Sequence, residues 1–108
     1  MTAQIPSVGR TVLYQLSETD AIVTNKRRAD AKANLDTHRT NANGVQIHVG
    51  NPVKEGDTFP LIIVRVWGDT PDSLVNGQVI LDGNDHFWAT SVGVGTTPGT
   101  WSWPVIKR

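Results

Sequence analysis

Cysteine is absent, which excludes a disulfide framework, a thiolate metal site and a cysteine nucleophile. Net charge is absent as well. Ten basic side chains stand against ten acidic ones, so bulk attraction to nucleic acid or to an anionic membrane is not expected. Long hydrophobic runs are missing too. No segment approaches the roughly 20 apolar residues of a membrane span, and residues 1–10 hold no apolar stretch of signal-peptide length, so a soluble, cytoplasmic protein is expected. The chain has no Gly-x-Ser-x-Gly elbow, Walker loop or dinucleotide fingerprint, and Gly93-Val94-Gly95 lacks the following helix that phosphate cradling requires. His38, His48 and His86 lack the close spacing of a zinc site. Asp82-Gly83-Asn84-Asp85 looks like the start of a calcium loop but has no later bidentate Glu, and its composition is that of a hairpin turn. We therefore assign no catalytic residue, metal or cofactor, and expect a non-enzymatic protein.

What is present is a chain of 108 residues, 38% hydrophobic, with 10 Gly and 6 Pro: one turn-rich domain over 1–108. Thr11–Leu16 reads as a first strand by its alternation. Ser17-Glu18-Thr19-Asp20 has the Ser-x-x-acid form of a capping box and opens a helix over about 18–34. That helix is rich in Ala, Lys, Arg and Asp, and its thin apolar stripe is read as Ile22, Ala29 and Ala33 with the stem of Lys26. Further strands are predicted at Val45–Val49, Leu61–Trp67, Leu74–Leu81, His86–Val92 and Thr100–Ile106, with Pro104 marking the last as an edge. The expected fold is mainly β (α+β), a small antiparallel barrel or sandwich of five or six short strands with one helical insertion near residues 18–35.

Alternation along the central strand places Ile62, Val64 and Val66 on one face, read as core, and Leu61, Ile63, Arg65 and Trp67 on the other. In the next strand Val75, Gly77, Val79 and Leu81 share a face, while Leu74, Asn76, Gln78 and Ile80 point away. Arg65, Trp67, Asn76 and Gln78 then gather on one mixed face, joining a planar cation, an aromatic plate and two amides. Trp88 lies in the following strand. Trp101 and Trp103 sit at an i, i+2 spacing of about 7 Å. Core packing is the competing reading for every tryptophan, and a salt bridge to Asp69, Asp82 or Asp85 is the competing reading for Arg65.

Charge is unevenly placed. Between Lys26 and Arg39 five basic residues oppose two acidic ones, a net +3, and between Lys54 and Asp85 two basic residues oppose six acidic ones, a net −4. Such a charge run on a helix ordinarily reads as a solvated face. A dipolar molecule also favours head-to-tail or twofold self-association, so a homo-oligomer is expected, and in a third reading Lys26, Arg27 and Arg28 cap an anionic ligand in a neighbouring subunit.

The runs Val8-Gly9-Arg10, Gly50-Asn51-Pro52-Val53-Lys54-Glu55-Gly56-Asp57-Thr58-Phe59-Pro60, Ile63-Val64-Arg65-Val66-Trp67-Gly68, Val75-Asn76-Gly77-Gln78-Val79, Leu81-Asp82-Gly83-Asn84-Asp85, Trp88-Ala89-Thr90-Ser91-Val92 and Pro98-Gly99-Thr100-Trp101-Ser102-Trp103-Pro104 span nearly all of the chain. Taken together, they resemble a group of small bacteriophage and prophage accessory proteins that carries no settled activity. The resemblance implies a viral context, in the host cytoplasm or in the virion. Combined with the mixed face, it leads to the expectation of a counter-defence protein that sequesters a small anionic, nucleotide-like ligand. Arg65, Trp67, Asn76, Gln78, Trp88 and Trp101 would meet the base, and Lys26, Arg27 and Arg28 the phosphate. A virion decoration protein and a direct inhibitor of a host protein are the alternatives.

Overall fold

The computed structural model describes residues 4–41, 50–83 and 85–105, with side chains in the helix described as far as Ala33. Five strands, β1 (Thr11–Gln15), β2 (Thr58–Trp67), β3 (Leu74–Ile80), β4 (His86–Val94) and β5 (Thr100–Ser102), form a closed barrel in sequence order, and one helix, α1 (Glu18–Asn41), stands between β1 and β2. The expected mainly β barrel with a helical insertion is what forms. The predicted strand at Val45–Val49 lies outside the described residues. All neighbouring pairs are antiparallel except β4 and β5, which run parallel and touch only at Gly93–Thr100 and Val94–Trp101. An ordinary parallel crossover needs a dozen or more residues, so the short loop between these strands permits only this corner contact.

The core is made by Val12, Tyr14 and Leu16 of the first strand and the residue after it, Leu61 and Ile63 of β2, Val75 and Val79 of β3, Ala89 and Val92 of β4, and Trp101 of β5. This reverses the expected core face of β2. Its first half is anchored by the pairs Tyr14–Phe59 and Val12–Leu61, which turn Leu61 and Ile63 inward and leave Ile62 and Val64 outside. A bulge between Ile63 and Arg65 then shifts the register by one residue. Val66 therefore packs against the core while Arg65 and Trp67 stay outside. In β3 the inward set Val75, Gly77 and Val79 is the one that alternation predicts. Gly77 has no room for a side chain, because a Cβ there would collide with the Ile62 carbonyl and the Leu61 side chain.

Helix α1 opens on the predicted capping box: the Asp20 amide donates to Ser17 Oγ at 3.1 Å and the Ser17 amide to Asp20 Oδ2 at 3.0 Å. Its inward stripe, however, is Ala21, Thr24 and Arg28, whereas Ile22, Ala29 and Ala33 are exposed. Polar groups dock it. Asn25 forms a two-way amide clamp on Val53, donating to its carbonyl at 2.7 Å and accepting from its amide at 2.8 Å. No described helix is long and apolar enough to cross a membrane.

Candidate functional site

The outer face of β2, β3 and β4 gathers most of the predicted binding residues. Cross-strand register sets Ile62, Gln78 and Trp88 in one row, Arg65 and Asn76 in the next, and Trp67 beside Leu74 in a third. Trp67 is held in place. Its Nε1 donates to Asn76 Oδ1 at 3.1 Å, the same oxygen accepts the Ser91 amide at 2.7 Å, and the Arg65 guanidinium lies 5.0 Å from the indole centroid. Asn76 is buried under this arrangement although it belongs to the outer face.

The same strands also expose apolar side chains. Ile62, Val64, Trp67, Leu74, Ile80 and Trp88 are each 38–52 % exposed, and all belong to β2, β3 or β4. Ile62, Val64, Leu74 and Ile80 are not among the predicted binding residues. A signal for them exists: Leu61-Ile62-Ile63-Val64 is apolar on both faces, and a strand with one side on the core and one in water has no need of that.

Family models, curated proteins and solved structures give no match to this chain. Its functional reading rests on its own residues.

Trp101 is not on this face. It is fully buried in the core, packed edge-on against Trp103 at 5.7 Å between ring centroids, because the short β5 turns its one central side chain into the barrel. Lys26, Arg27 and Arg28 of α1 are also elsewhere, and each meets a carboxylate within the chain. Arg27 reaches Asp85 at 2.7 Å. Arg28, nearly fully buried, reaches Asp82 at 3.0 Å and Asp85 at 3.5 Å, and Lys26 pairs with Asp30 at 3.2 Å on the helix surface. The positive and negative segments thus meet in part within the chain, as helix against β3–β4 turn. Asp82 also accepts the Asn51 amide at 3.0 Å, and that hydrogen bond, followed by Arg28, holds its carboxyl below the ordinary value of 3.8.

A second feature sits where α1 leaves the barrel. Tyr14 donates its hydroxyl to the Asp20 carboxylate, and its ring meets Phe87 edge-to-face at 6.1 Å. Burial, reinforced by the Asp20 charge, raises the Tyr14 hydroxyl well above the usual 10.0. A cavity of about 280 Å³ opens beside this pair along Phe87–Val92, and another of about 210 Å³ lies between Trp88 and the first turns of α1. Arg65 and Trp67 line neither.

Proposed function

We propose that this is a phage-encoded, non-enzymatic binding protein that docks the outer face of β2, β3 and β4 onto a host protein and inhibits it. The observation that carries the reading is a half-exposed, hydrogen-bonded indole, Trp67, on the same outer barrel face as the exposed Ile62, Leu74, Ile80 and Trp88. Tryptophan and arginine dominate binding energy at protein interfaces, and a rigid plate loses little entropy on docking. Arg65 stacked on Trp67 supplies both residue types at one point. Several large apolar side chains exposed on one face suit a macromolecular partner better than a solvated ligand.

The nucleotide-sequestering reading draws on the same plate, since a base can stack on indole. It also needs a concavity and free cations for the phosphate. The outer face of a closed barrel is convex, and with Lys26, Arg27 and Arg28 on carboxylates it is Arg65 that remains beside the plate for a phosphate. The host-protein reading is therefore preferred. Affinity purification of tagged protein from infected cells tests it. The wild type should retain one host protein in near-stoichiometric amount, and Trp67→Ala should lower that recovery at least about tenfold, whereas the exposed helix variant Lys32→Ala should not. Equal recovery with Trp67→Ala, retention of a nucleotide in place of a protein, or abundance of the chain in purified virions would each replace this reading with a rival.

A further inference from the structure

The barrel wall has one stretch where strands meet without a ladder. β4 is paired to β3 from His86 to Val92, but on its other edge the pairing to β5 begins only at Gly93. β1 joins β5 through Leu13 and Tyr14 alone. Among the described residues, no strand therefore pairs with the second edge of β4 over Phe87–Val92. Side chains close the barrel there instead. The Tyr14–Phe87 ring pair forms the floor, and Asp20, tied to Tyr14 and to the Ser17 amide, forms the facing wall. The two cavities described above share Asp20, Phe87 and Trp88, so together they make one slot running along the open edge of β4.

A strand edge is a row of backbone donors and acceptors, and what satisfies such a row most completely is another strand. Two details fit a docked strand. The slot is bordered by a bulge, with Thr90 and Ser91 standing opposite Asn76 alone and Ser91 held at φ 51°, a device that ends or redirects pairing at functional edges. Its charge is also selective. Arg27 at the slot's end is neutralised by Asp85, and of the charged side chains lining the slot Asp20 alone has no basic partner among the described residues. A carboxylate that already accepts two hydrogen bonds still has lone pairs to offer.

We propose that this slot binds an extended peptide, which adds to β4 as a strand along Phe87–Val92 and sets a basic side chain between the Asp20 carboxylate and the Trp88 indole. Backbone pairing supplies the affinity, and the carboxylate with its aromatic neighbour supplies the preference for Lys or Arg. The site adjoins the outer-face docking surface, with which it shares Trp88, but does not rest on that reading.

Titration of isotope-labelled protein with hexapeptides of alternating Thr and Val, carrying Lys, Gln or Glu at the third position, tests this by NMR amide exchange. The Lys peptide should protect amides within Phe87–Val92. It should bind at least about threefold tighter than the Glu peptide, as a partly exposed ion pair allows. Methylating alternate backbone nitrogens of the same peptide should weaken binding at least about tenfold, since it removes and sterically blocks ladder donors while leaving the side chains unchanged. In Asp20→Asn, which keeps an acceptor for Tyr14 and Ser17, the Lys over Glu preference should vanish. Unchanged affinity after N-methylation, protection confined to other strands, or no perturbation by any of the three peptides at millimolar concentration would overturn the proposal. The first two readouts use the unaltered protein, so a poorly folded Asp20→Asn would not blunt the test.

Discussion

The Nε1 of Trp67 and the backbone amide of Ser91 converge on a single atom, Oδ1 of Asn76, at 3.1 and 2.7 Å. One buried amide thereby fixes the bulge of β4 and the exposed indole of β2 together. Asn76→Ala leaves two donors without that acceptor, and the expected loss is about 1–3 kcal/mol of unfolding free energy. Trp67→Phe removes one donor from an exposed ring and should cost less than about 1 kcal/mol. Urea unfolding of the two variants checks the order. Equal losses would show that the Ser91 bond contributes nothing.

Arg28 ties α1 to the β3–β4 turn through Asp82 and Asp85, and its guanidinium is nearly fully buried while Asp82 is partly open to water. Arg28→Ala should destabilise the fold by about 1.5–3 kcal/mol, the range for hydrogen bonds to a charged group. The pH dependence follows from the depressed Asp82 carboxyl. Because the folded value lies below the unfolded one, the stabilisation is present above about pH 4 and is lost as pH falls through the folded value. Thermal unfolding between pH 5 and 2 should show a shallower decline in Asp82→Asn than in the wild type.

Tyr14 is the chain's single tyrosine, so its ionisation can be followed without overlap. Burial and the Asp20 carboxylate raise it, so absorbance of the folded protein at 295 nm should stay flat through pH 10 and rise only as the barrel opens. The sign is that of a raised acid. Its stabilisation is complete below the unfolded value near 10 and declines above it, because the unfolded chain loses the proton first. Tyr14→Phe should remove the absorbance rise and reduce the alkaline loss of stability. A titration at the ordinary value in folded protein would contradict the Tyr14–Asp20 contact.

Gly77 faces the Ile62 carbonyl and the Leu61 side chain with no space for a methyl group. Its backbone is ordinary, so sterics alone forbid a larger residue. Gly77→Ala should cost about 1–3 kcal/mol, the usual range for overpacking, and calorimetry would read it as a lowered Tm.

Much of the fold could be read from the residue pattern, and the failures have physical causes. The capping box at Ser17 and Asp20 and the alternation of β3 are local signals, and both hold. The inward face of β2 differs from the expected one because Leu61-Ile62-Ile63-Val64 is equally apolar in both parities, so alternation cannot choose between them. Pairing with β1 chooses between them, and the bulge at Val64 then lets Arg65 and Trp67 face outward. The helix stripe does not follow hydrophobicity, because α1 docks through Asn25 and Arg28 to a backbone and to carboxylates far along the chain. Of the expected site, Arg65, Trp67 and Asn76 come together and Gln78 and Trp88 adjoin them. Trp101 is drawn into the core by β5, and Lys26, Arg27 and Arg28 are held by Asp30, Asp85 and Asp82.

The central claim is that the outer face of β2–β4 touches a host protein. Placing a photo-crosslinking amino acid at Ile62 or Leu74 of the outer face, or at Lys32 of the helix, and irradiating infected cells measures that contact in place. The account predicts that the two sheet positions capture the same host protein and the helix position does not. Capture from Lys32 alone, or adducts at Ile62 and Leu74 that contain no protein, would contradict it.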